Sequence, residues 1–226
     1  SFGVFSKQFT NYISSVSYTI PAWDAIKMGL SNNAWEVRGM PMNLPDKGYV
    51  KGFEIDLQTN FKYLPFPLNG FLLNFNMTQL NSKTYAEKWW HEEYYDPVKR
   101  QVVINFQTDY FYKEEVQLTS QIDMVMNSTL GYEYKGFSLR ISSQYQGTDL
   151  INTLNNMETE VSQRYNHDWL RWDLALSQRI IKNMKLRFNI ANFTNVGEKN
   201  YIYQEKYWLN DNRYGAVYQL GFEYNF

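Results

Sequence analysis

The densest run of chemically capable side chains is Lys83-Thr-Tyr-Ala-Glu-Lys-Trp-Trp-His-Glu-Glu-Tyr-Tyr-Asp96. Trp89, Trp90, Tyr94 and Tyr95 offer flat faces that can stack on a sugar ring or an aromatic chelator. Glu92, Glu93 and Asp96 can accept hydrogen bonds beside them. His91 next to two acids that point in different directions is poor spacing for a metal. The chain has no cysteine and only one other histidine, His167. Thiolate metal sites, cysteine nucleophiles and multi-histidine centres are therefore excluded. No motif joins a nucleophile to a base and an orienting group. These residues describe a binder without a cofactor rather than an enzyme.

A second set is charged. Arg140, Arg171, Arg179, Lys185 and Arg187 fall on the polar side of alternating stretches, as do Glu54, Asp56, Glu133 and Asp173. Such mixed-sign walls contact a ligand or a partner domain by charge-assisted hydrogen bonds, or pair with one another at little net gain. Over the whole chain 22 Lys and Arg face 23 Asp and Glu, a formal charge of −1. That balance argues against nucleic acid as a partner.

The elements that would position these groups are strands, because alternation of period two runs through most of the chain. Phe53, Ile55, Leu57, Thr59 and Phe61 oppose Glu54, Asp56, Gln58, Asn60 and Lys62. The same pattern appears in 70–81, 137–147, 169–180, 184–194 and the final stretch, less cleanly in 123–134, and least in 1–13, where Val4 and Phe5 are adjacent. That gives about eight strands, most of about 10–13 residues. Soluble strands average about five or six, and a tilted strand crossing a bilayer needs about 9–11. Mean hydropathy is −0.54, and no apolar run approaches the roughly 18 residues of a helical span. Yet the chain carries 19 Tyr, 15 Phe and 7 Trp, many near strand ends (Phe61, Tyr63, Tyr132, Tyr134, Trp169, Tyr224), where interfacial girdles sit.

Short turns are expected at about 63–69, 135–136 and 181–183, and long loops at about 14–48, 82–122, 148–168 and 196–212. Short turns on one side and long loops on the other mark outer-membrane barrels. The long loops would then be extracellular and Phe226 periplasmic. Asn76-Met-Thr78, Asn127-Ser-Thr129 and Asn192-Phe-Thr194 match a glycosylation pattern, but all three fall on expected strands. No linker or short repeat divides residues 1–226. The start at Ser1, without an initiator Met or targeting segment, is expected of a processed chain or a piece of a longer one.

The closing residues Asp211-Asn-Arg-Tyr-Gly-Ala-Val-Tyr-Gln-Leu-Gly-Phe-Glu-Tyr-Asn-Phe226 resemble the last strand of TonB-dependent outer-membrane receptors. Tyr218, Phe222, Tyr224 and Phe226 look like the C-terminal signal read by barrel-assembly machinery. The stretch Trp172 to Asn195, ending in Asn192-Phe-Thr-Asn195, is similar to that family's penultimate hairpin. Tyr49-Val-Lys-Gly-Phe-Glu-Ile-Asp-Leu57 resembles another of its strands. The resemblance covers most strands and none of the long loops. It implies a barrel of roughly 22 strands around an N-terminal plug, of which this all-β, antiparallel chain is the C-terminal third. It also implies outer-membrane lipid of a Gram-negative bacterium as surroundings, and its own plug, the missing strands and TonB as partners, with a surface lipoprotein as a further candidate. The activity implied is uptake of a scarce siderophore, corrinoid, oligosaccharide or peptide. Arg140, Arg171, Asp173, Arg179 and Arg187 would face the lumen or plug.

Two alternatives stay open on the residues alone. Eight strands can close into a complete small barrel with a structural or adhesive role. A soluble, carbohydrate-binding β-sandwich is the other.

Overall fold

Alternating stretches fold as strands because successive side chains leave opposite faces of the pleat. A computed structural model of the chain describes residues 1–20, 22–29, 35–98, 100–155, 161–202 and 207–225, with side chains described outside 15–24, 35–40, 86–96, 101–113, 152–155 and 161–162. Its strands are β1 (Phe2–Phe9), β2 (Tyr12–Ile20), β3 (Trp35–Leu44), β4 (Gly48–Asn60), β5 (Phe71–Asp96), β6 (Gln101–Val116), β7 (Met124–Tyr134), β8 (Phe137–Gln146), β9 (Asp149–Asn155), β10 (Val161–Asn166), β11 (Trp169–Ile181), β12 (Met184–Ala191), β13 (Glu198–Ile202), β14 (Trp208–Asn212) and β15 (Val217–Tyr224). One short helix, α1 (Ala22–Lys27), lies between β2 and β3.

The principal sheet runs β1-β4-β5-β7-β8-β11-β12-β15, with β6 joined to the outer part of β5. All its pairings are antiparallel. Its register keeps like with like. Leu73, Leu130, Ile141, Leu174, Ile190 and Tyr218 stand opposite one another in turn, forming one apolar row across six strands. One step along, Asn74, Thr129, Ser142 and Asp173 form the corresponding polar row. A slip of one residue at a pairing would set polar-face residues opposite the apolar row, so the pattern itself fixes the register.

The short turns lie at one end of this sheet. Lys135 and Gly136 join β7 to β8 with φ of 45° and 83°, the left-handed pair that matches the twist of a two-residue hairpin. At the other end, the expected long loops are themselves largely strands. β2 pairs with β3, the far half of β5 pairs with β6, and β9, β10, β13 and β14 form a second sheet in the order β14-β13-β10-β9. The third and fourth connections thus bond to each other through β10 and β13. Tyr12 on β2 donates its hydroxyl to the Tyr85 carbonyl on β5 at 2.6 Å. The Ser120 N–H, just past β6, donates to the Leu150 carbonyl on β9 at 2.7 Å. Neighbouring hairpins are therefore tied together.

The weak alternation of β1 has a physical cause. Phe5 lies on the polar face, where its cross-strand partner is Gly52. A Cβ at Gly52 would overlap the Gln79 carbonyl oxygen and stand 2.8 Å from the Phe5 ring. Leu72, also on the polar face, covers Gly131 in the same way, 2.7 Å from where a Cβ would be. Large apolar side chains are tolerated here because a missing side chain makes the space.

Along the eight-strand path the apolar face is half-buried by its own neighbouring side chains in the central strands and exposed at the edges. Among the described residues the buried apolar side chains are Ala25, Leu44, Val116 and Leu150, all outside the eight-strand path. Leu220 and Phe222, on the edge strand, remain 75% and 66% exposed. The sheet is open: β1 forms one edge and β15 the other, and no described pairing joins them.

Candidate functional site

The polar face is the richest described surface. Its character changes along the strand order. On β4, β5 and β7 it carries Glu54, Asp56, Gln58, Asn74, Asn76, Asn127 and Thr129, and from β8 onward it becomes cationic. A hollow of about 580 Å³ lies on the amide side, lined among others by Gln58, Asn74, Thr129 and Ser142. Beside it, toward the short turns, a hollow of about 610 Å³ is lined by Glu133, Lys135, Arg140, Arg179, Lys185 and Arg187.

The charged candidates of the polar face divide into four kinds. Arg140 donates to Glu133 at 2.9 Å, and Arg187 is paired with Glu223. These pairs are half-exposed and contribute little net energy. Arg171 packs its guanidinium over the Trp169 ring, 4.7 Å from its centre, and reaches Glu198 at 3.7 Å. Arg179 stands directly opposite Lys185 on the same face. Asp173 lies on the polar face as alternation requires, but its carboxylate is occupied: Oδ1 accepts the Asn192 backbone N–H at 2.7 Å.

Asn192 is the organising residue at that end of β12. It lies just past the strand, 7% exposed with φ of 53°. Its side-chain amide donates to the Val196 and Gly215 carbonyls at 3.1 and 3.2 Å, and its oxygen accepts the Val196 N–H at 3.0 Å. The expectation that Asn192 lies on a strand is corrected here. It holds the turn into β13 against the approach to β15, and a residue so enclosed is no glycan acceptor.

Trp89, Trp90, Tyr94 and Tyr95 were expected in a loop. They lie instead on the outer half of β5, opposite Phe111, Tyr110, Val103 and Val102 of β6; their side chains are outside those described. Tyr218, Phe222 and Tyr224 share one face of β15. Phe226 lies outside the described residues.

The sequence pattern missed a cluster on the second sheet. Tyr165 and Tyr201 stack at 5.4 Å, His167 lies 5.2 Å from Trp208, and the Lys199 ammonium sits 4.9 Å over the Trp208 ring. Burial first, then the carboxylate of Glu114, push the Tyr165 phenol above its ordinary range. A chain of polar groups, Asp149 to Asn166 to Asn200, crosses three strands at 3.0 Å per link. The available signal was Tyr165-x-His167 and Lys199-x-Tyr201, two short alternations inside stretches read as loops.

Among the described residues no group of three or more His, Asp or Glu is placed to hold a metal ion. The chain matches no protein-family model, no curated protein and no solved structure.

Proposed function

We propose that the chain is the C-terminal portion of a TonB-dependent outer-membrane transporter, in which the apolar face meets lipid and the polar face lines the lumen. One observation carries this reading. A meander of eight antiparallel strands presents one apolar face that no layer of the described chain covers, while its short turns fall at one end and its paired hairpins at the other. Each large apolar side chain recovers about 1.5–3 kcal/mol on leaving water, so a face this wide requires apolar surroundings. A soluble sandwich would bury it against a second sheet. The unpaired edges at β1 and β15 favour a larger barrel over closure of eight strands.

In this role the protein is no enzyme. It binds a scarce ligand near the hairpin end, with energy delivered through TonB to a plug domain, and it reaches the membrane through barrel-assembly machinery. The resemblance of Trp172–Asn195 and Asp211–Phe226 to that receptor family supports the same reading.

The test is the intact mass of the detergent-extracted gene product, with its migration before and after heating. A mass several tens of kilodaltons above the 27.0 kDa of this chain, with heat-modifiable migration, is the expected result. A 27.0 kDa product that is heat-modifiable and carries no further chain would sink the transporter reading in favour of a small closed barrel. Extraction without detergent would sink both.

A further inference from the structure

The cations around the larger hollow are not matched by acids. Lys135, Arg140, Arg179, Lys185 and Arg187 line it, with Glu133 as its one acidic side chain. Glu133 is taken by Arg140, Glu223, which stands opposite Lys185 on β15, is taken by Arg187, and the Lys135 ammonium lies over the Tyr134 ring, 5.1 Å from its centre. Arg179 and Lys185 remain, and they are direct cross-strand partners on one face. Like charges placed opposite each other destabilise an antiparallel pair. Among the described residues neither makes an ion pair. Ser138, Ser177 and Asn189 add neutral hydrogen-bonding groups to the same floor.

We infer that this hollow is a binding site for a small anionic ligand, a carboxylate or phosphate compound whose charge is bracketed by Arg179 and Lys185. An arginine supplies a planar fork of donors and a lysine a compact point charge, so one oxyanion satisfies both and removes their mutual repulsion. The volume of about 610 Å³ lies in the range of small-molecule sites, about 300–1,000 Å³. The cations ring one hollow from adjacent strands, and the β4–β5 half of the wall is acidic or amide-bearing. That grouping suits a compact anion better than an extended acidic polypeptide. The inference relies on the transporter reading for its place on an uptake route, where it makes the cargo anionic. The binding itself depends only on side chains of this chain.

The experiment is calorimetric titration of citrate, and separately of inorganic phosphate, into the full-length detergent-solubilised protein at low ionic strength. Saturable binding of at least one probe is expected, weakened at least tenfold in the Arg179→Gln/Lys185→Gln double variant and unchanged in Lys51→Gln, which removes the same type of charge elsewhere. Heat-modifiable migration of each variant checks that it has folded. Equal binding by the wild type and the double variant, or no saturable binding of either probe, overturns the proposal. So does a zero-length carbodiimide cross-link joining Lys185 to a carboxylate of the same polypeptide, other than Glu133 of the same hollow and its cross-strand partner Glu223, in native membranes, because protein would then cover the cations. A 27.0 kDa gene product removes the transport reading and leaves the titration to decide the site.

Discussion

Asp173 on β11 fixes Asn192 beyond the end of β12, accepting its backbone N–H at 2.7 Å. Asp173 stands in the polar row of the sheet, yet its carboxylate serves the neighbouring strand end. Asn192 in turn ties Val196 and Gly215 together through its side chain. Removing that amide strands two carbonyls and one N–H, each costing about 1–3 kcal/mol where it stays dry. Its positive φ of 53° adds about 1–2 kcal/mol for a residue with a Cβ and no local polar compensation.

Two variants separate these effects. Asn192→Gly loses the hydrogen bonds and keeps the backbone at ease. Asn192→Ala loses both, and should be the less stable of the two by about 1 kcal/mol. Urea or heat denaturation of the refolded protein reads the order, and equal stabilities would show that the backbone is not strained there.

Gly52→Ala should be more disruptive than its single methyl suggests. The added Cβ meets the Gln79 carbonyl oxygen, which is backbone, and the Phe5 ring, which is not. Overpacking of this kind costs typically about 1–3 kcal/mol. Because the carbonyl cannot rotate away, Phe5→Ala should fail to rescue Gly52→Ala. Full rescue in the double variant would assign the clash to the ring alone.

Asp211 and Arg213 form a two-point contact, with Arg213 Nη2 donating to Asp211 Oδ2 at 3.0 Å and Nε donating at 3.2 Å. The guanidinium holds the Asp211 carboxyl below its ordinary value of 3.8. A carboxyl depressed in the folded state contributes stability above its unfolded pKa and loses it as pH falls through the folded value. The group is fully exposed, so the effect on unfolding should be slight. The sensitive readout is the carbon resonance of the Asp211 carboxyl, whose midpoint should rise toward 3.8 in Arg213→Gln. An unchanged midpoint would remove Arg213 as the cause.

What the sequence made legible follows from parity. Stretches such as 50–62 and 169–180 alternate cleanly because each strand separates two unlike environments, and the division into short turns and long connections came from them. The outer half of β5 was not legible. Trp89-Trp90, Glu92-Glu93 and Tyr94-Tyr95 repeat like residues in adjacent places, so the two faces read alike and period two vanishes. β13 and β14, at five residues each, are too short to alternate visibly. β1 is a strand as expected but alternates least for another reason: Phe5 lies on the polar face where Gly52, far away in sequence, leaves room for it. The Arg179–Lys185 opposition belongs to the regular part of the β11–β12 register, which shifts only beyond Arg179, and composition does not reveal which residues of two strands face each other.

The two faces of β11 give the sharpest test of where this sheet resides. Leu174 lies in the apolar row between Ile141 and Ile190, while Ala175, one residue on, lies on the polar face between Arg140 and Asn189. If the apolar face meets hydrocarbon, Leu174→Arg should cost about 2–4 kcal/mol near the bilayer midplane. Ala175→Gln puts a polar chain toward the lumen and should cost far less. Folding titrations of the full-length protein into lipid vesicles would measure both. Under a reading in which bulk water wets both faces, the arginine at 174 loses only the packing of one leucine and remains hydrated, so the two variants would fall within about 1 kcal/mol of each other. A wide gap, with Leu174→Arg the weaker folder, is expected; a narrow one would take the sheet out of the membrane.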